Sequence, residues 1–141
     1  MNRPTAIEPK EVNDMVKEPN QNLTDIGSLL PAKQNDPDKQ QDLVMEFVLN
    51  NYPNELTQKA IVTDLKQLNV YLLSIRKTLF TVKAYHLGLY RKHLMESDYK
   101  IGSINRKLAS VKAFYRFIHE TGYFDTNIAL YLKLIKNVSK I

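Results

Sequence analysis

The chain has 141 residues, enough for one domain with its own core. Its 43 % hydrophobic and 25 % charged residues are ordinary for a soluble globular protein, and no apolar run approaches the roughly 18 residues of a membrane span. There is no cysteine, which excludes disulfides and thiolate chemistry, and the N-terminus lacks the basic-then-apolar layout of a signal peptide; these features predict a cytoplasmic protein.

The net charge of +5 is unevenly divided. Residues 1–56 hold five Lys/Arg against ten Asp/Glu, a net of −5; residues 57–141 hold fifteen against five, a net of +10. A basic second part points to a polyanionic partner.

Residues 1–37 carry five of the six prolines, at 4, 9, 19, 31 and 37, among many polar residues, and read as a flexible acidic tail. From Asp38 the pattern turns helical. Leu43, Phe47 and Val48 predict a first helix that stops near Tyr52, before Pro53. A second is predicted from Thr57, as N-cap, to about Arg76, with Ile61, Leu65, Leu68, Leu72 and Ile75 on one face. The third, from about Thr81 to Glu96, has Val82, Tyr85, Leu87, Leu89, Tyr90 and Leu94 on several sides, as expected of a central helix. Ser103 is the expected N-cap of the fourth, whose stripe is Ile104, Leu108, Val111, Tyr115 and Ile118. Gly122 is suited to a left-handed stop. A last short apolar helix is predicted over about Asn127 to Lys136. Strand signals are nearly absent, so the expected fold is all-α, a compact bundle of four to five helices.

Beside each stripe of the second and fourth helices runs a row of basic, hydroxyl-bearing or small residues. On the second helix these are Thr57, Lys59, Ala60, Thr63 and Lys66; on the fourth, Ser103, Arg106, Lys107 and Ser110 fall within a roughly 100° arc. Short side chains let a helix approach a surface closely, Arg reads guanine edges, and Ser donates to phosphate. A row of this kind is also what a solvated helix face looks like, but its occurrence on two helices suits a double-stranded DNA partner. Only Asp64 is acidic between Thr57 and Leu94.

The stretch SINRKLASVKAFYRFIHETGYFDTN resembles the last main helix of the N-terminal core-binding domain of tyrosine recombinases, the phage-integrase family. FVLNNYPNELTQKAIVTDLKQLNVYL and TVKAYHLGLYRKHL are similar to its preceding helices, in the same order, so the likeness covers residues 38–137. The resemblance implies a SAM-like integrase domain that forms half of a C-shaped clamp, with two helices crossing in the major groove. Carried over by position, the DNA contacts are Thr57, Lys59, Ala60, Thr63 and Lys66, with Gly102, Ser103, Arg106, Lys107 and Ser110. Departures are Ile128 where proline usually follows the Asn, and Ala60 where a larger residue is common.

The family's Arg, Lys, His and Tyr catalytic set lies in a second domain, so residues 138–141 are expected to begin a linker to it. No His-x-x-Arg occurs here, nor a His-Glu-x-x-His helix or a phosphate-cradling glycine loop. Tyr71, Tyr85, Tyr90, Tyr115 and Tyr131 fall in apolar patterns and are expected in the core. The chain is therefore read as a non-enzymatic DNA-binding module without cofactor, metal or small-molecule substrate. Other recombinase protomers are a further expected partner, through residues 128–135. The alternatives are a helical protein-interaction module and a standalone DNA-binding regulator.

Overall fold

A computed structural model describes residues 36–136. The expectation of a linker over 138–141 lies outside the described residues, as does that of a flexible tail over residues 1–37 except at its end, where Pro37 already belongs to a helix. Among the described residues four helices follow in order: α1 (Pro37–Asn51), α2 (Glu55–Ser74), α3 (Ala84–Met95) and α4 (Ile101–Glu120). The described residues contain no strand, and none of their helices is long and apolar enough to cross a membrane.

Helix α1 opens on Pro37, whose missing N–H is no loss in a first turn. It buries the predicted Leu43, Phe47 and Val48. Phe47 then meets Phe114 of α4 edge-on, with ring centroids 5.4 Å apart. Edge-to-face pairs of this kind add about 0.5–1.5 kcal/mol beyond the area they bury.

The N-cap of α2 is Asn54, not Thr57. Its Oδ1 accepts from the Thr57 backbone N–H at 3.1 Å, which places Thr57 at the third helical position. The helix also ends earlier than its apolar spacing predicts. Arg76 adopts φ 63°, and the Arg76 and Lys77 amides donate to the Leu73 and Leu72 carbonyls at 3.0 and 2.8 Å. This closing motif normally uses glycine, so an arginine in it escapes a reading that looks for glycine.

Helix α3 begins at Ala84, three residues after the predicted start. The Thr81 hydroxyl is used instead to accept the Thr78 amide at 2.8 Å in the preceding turn. His86 Nδ1 accepts the Lys83 N–H at 2.9 Å. The helix packs against both α2 and α4, as expected of a central element. Only His86, Leu87, Tyr90 and Leu94 are buried, however, while Tyr85 and Leu89 face outward.

Helix α4 is capped from Lys100, which places Ser103 inside the first turn and not at the cap. Ile104, Leu108, Val111, Phe114, Tyr115 and Ile118 are buried. The Tyr115 hydroxyl donates to the Leu79 carbonyl at 2.7 Å, so this large side chain leaves no polar atom stranded. Gly122 takes the expected left-handed conformation, φ 83°.

The fifth predicted helix is not formed. Residues 127–136 run as two successive turns and an extended tail, closed by Leu130 N–H to Asn127 O and Leu132 N–H to Ala129 O, both 3.1 Å. Side chains of α3 and α4 take up the carbonyls that a helix would use. Lys112 Nζ donates to Ala129 O at 3.2 Å and to Leu132 O, and Arg91 Nε donates to Lys133 O at 2.7 Å. Asn105 pairs with both backbone groups of Ile135, at 2.9 and 2.6 Å. Ala129 and Leu132 still reach the core, but Tyr131, expected there, is exposed.

Arg76→Gly is expected to stabilise the fold by up to about 1 kcal/mol, because glycine carries no Cβ penalty at positive φ. Urea unfolding followed by circular dichroism checks this.

Candidate functional site

Asp64 lies three residues after Ile61 and four before Leu68, in the core stripe of α2. That register carries its carboxylate to α4 and leaves it 0 % exposed. A buried carboxylate without partners costs several kcal/mol, and here one face of α4 supplies them. Arg106 Nη2 donates to Oδ1 at 2.9 Å, Ser110 Oγ donates to Oδ2 at 2.7 Å, and Lys107 Nζ lies 3.6 Å from Oδ1. Lys107 also donates to Gln67 Oε1 and sits 4.7 Å from the centroid of the Tyr99 ring.

The two cations differ in exposure. The Lys107 side chain is 4 % exposed and the Arg106 side chain 55 %. Two positive groups share one negative group, so the cluster keeps one net positive charge, carried by the group that reaches solvent.

The residues singled out from the sequence therefore divide. Thr57, Lys59, Thr63 and Lys66 are exposed on α2, and Ala60 is half-buried. On α4, Gly102 and Arg106 are exposed and Ser103 is half-buried. A Cβ at Gly102 would meet nothing within 4 Å, so the surface there is open. Lys107 and Ser110, expected as DNA contacts, are buried with their donors turned to Asp64 and Gln67. The outward row is Lys59, Thr63 and Lys66 with Gly102, Ser103 and Arg106.

Asp64 was not among the candidate residues. Its signal was present as a charge at a core position of an amphipathic stripe. Lys107 likewise lies three residues after Ile104 and four before Val111, where a core residue is expected.

Beside this row, Thr63, Lys66 and Gln67 line a groove of about 490 Å³ whose aromatic walls are Tyr71, Tyr90, His93 and Tyr99. The Tyr71 and His93 rings lie 4.8 Å apart. Tyr90 is buried, and its hydroxyl has no hydrogen-bond partner among the described residues. Burial, with the Asp64 carboxylate nearby, pushes the Tyr90 phenol well above its ordinary value, so it stays protonated. Among the described residues no group of three or more His, Asp or Glu is placed to hold a metal ion.

No protein-family profile, curated protein or solved structure matches the chain.

Removing Asp64 strands a buried lysine. Asp64→Ala is expected to cost about 3–5 kcal/mol in urea unfolding, whereas Asp64→Leu combined with Lys107→Met and Ser110→Ala recovers most of that loss.

Burial, then the neighbouring Lys77 and Lys83, holds His86 below its ordinary value of 6.5. The folded protein thus favours the neutral ring, whose Nδ1 accepts the Lys83 amide. This contribution is present above pH 6.5 and is lost as pH falls below it toward the folded value. Melting temperatures measured from pH 7.5 down to 5 should fall more steeply for the parent than for His86→Gln.

Proposed function

We propose that the chain is a double-stranded DNA-binding module of the tyrosine recombinase core-binding type, with a SAM-like helical domain. It acts in the cytoplasm and lays α2 and α4 against the major groove. The strand-exchange chemistry belongs to a second domain. The observation that carries this reading is the Asp64 bridge between the two helices. It holds Arg106 at the surface of α4 against the helix that carries Lys59, Thr63 and Lys66. The order and spacing of the integrase-like stretches support the same reading, as does the +10 charge of residues 57–141.

Exposed lysine and arginine side chains on such a face neutralise phosphates, and each phosphate neutralised releases counterions. With Lys59, Lys66 and Arg106 engaged, log K against log salt falls with a slope of about −3 or steeper. Arg106→Ala is a poor test, because it also removes a partner of buried Asp64. Lys59 and Lys66 have no such duty.

The experiment is fluorescence anisotropy of the full chain with a labelled duplex at several salt concentrations. Lys59→Ala/Lys66→Ala is expected to fold normally, bind more weakly and flatten the salt slope by about 2. Binding indifferent to salt and to this pair removes the DNA reading and leaves the row as solvated surface or as a site for an acidic protein.

A second surface favours self-association on DNA: Leu130, Tyr131 and Leu134 are exposed while their neighbours Ala129 and Leu132 are buried. Tyr131→Ser with Leu130→Ser is expected to reduce the cooperativity of binding to a long duplex and leave the fold intact. Unchanged cooperativity removes the protomer contact.

A further inference from the structure

Arg106 is half free and half bound, and the bound half is held with unusual completeness. Its guanidinium is planar and presents five N–H donors in a rigid fork. Nη2 is fixed on Asp64 Oδ1, which belongs to a different helix. The carboxylate cannot swing, because Ser110 holds Oδ2 and Lys107 lies against Oδ1. Lys107 is itself held by Gln67 and by the Tyr99 ring. Asp64, Lys107 and Ser110 are buried, Gln67 is half-buried and Tyr99 is exposed. A surface arginine on a flexible stem loses much side-chain freedom when it binds, whereas an arginine already pinned at one nitrogen loses less.

We infer that Asp64 is a positioning residue for sequence discrimination: it aims the Arg106 fork at base edges, and it does so at some cost in attraction for DNA. The inference rests on the DNA-binding reading above. Its physical content is that Asp64 opposes phosphate attraction, since it is a negative charge 2.9 Å from the arginine that reaches solvent. Affinity for DNA of any sequence and discrimination between sequences should therefore respond to Asp64 in opposite directions. A purely structural aspartate would weaken both together.

The test uses the full chain. A duplex sequence is first enriched by the parent protein from a random library. Binding is then measured to that duplex and to a scrambled one, across salt concentrations. Asp64→Asn retains an amide oxygen for Arg106 but removes the charge. It is expected to bind the scrambled duplex about twofold more tightly or better, and to lose about tenfold of the preference for the enriched duplex. Ser110→Ala leaves every charge in place; it frees Oδ2 and removes the longer bond to the Arg106 carbonyl. It is expected to keep the parental salt slope and still lose preference, and it carries the test if Asp64→Asn does not fold.

Parallel loss of affinity on both duplexes in folded Asp64→Asn overturns the inference, as does unchanged preference in Ser110→Ala. Failure of the parent to enrich any sequence, with salt-dependent binding intact, overturns it too and leaves the DNA reading standing. Absence of salt-dependent binding by the parent removes the DNA reading itself.

Discussion

One carboxylate sets the relation between α2 and α4, the two longest helices among the described residues. Asp64 is fully buried, and a charge in that position is tolerated only where donors meet it. All three donors come from one face of α4, at positions 106, 107 and 110. A shift of α4 by a single residue would rotate that face by about 100° and leave the charge unmet. The apolar stripe resists that shift too, but shifts of three or four residues keep a 4-3 stripe facing the core, and against those the fixed positions of the donors discriminate. The cluster thus contributes to uniqueness of packing at least as much as to net stability, because buried ion pairs gain little over well-packed apolar groups.

The remaining architecture supports this arrangement from both ends. Phe47, Phe80, Phe114 and Tyr123 form a chain of edge-on rings that ties α1 and the loops to the lower part of α4. At the other side, Asn105 and Lys112 bind the backbone of residues 129–135. These two side chains project from α4 away from Asp64's partners, so the helix is gripped on opposite faces. Its outward row is left as the accessible strip between them. Within that strip Arg106 is pinned at one nitrogen by Asp64.

The division of the basic row has a general physical basis. Lysine and serine next to a core stripe look alike in sequence whether they turn out or in. A lysine turns inward where its charge is paired and hydrogen-bonded, and here Asp64 and Gln67 do this with the Tyr99 ring beside them. Arginine beside it reaches the same carboxylate from further out, because its guanidinium fork extends beyond a three-carbon stem and can bond with one nitrogen while leaving the others in water.

The amino-acid sequence by itself determined the four helices, their order and most of their inward faces, because 4-3 apolar spacing acts within one turn of chain. It also determined the left-handed stop at Gly122, a local backbone property. It misplaced the caps at Thr57 and Ser103, since neighbouring residues compete for the same terminal amides. The chain's three-dimensional packing decided the rest. Tyr85 and Tyr131 face outward because the core was already filled by Leu87, Tyr90 and Leu132. Residues 127–136 have helical spacing but no helix, because Arg91, Asn105 and Lys112 claim their backbone groups. Asp64 meets Arg106, Lys107 and Ser110 across more than forty residues of chain, and a partnership at that distance exists only once α2 and α4 have packed.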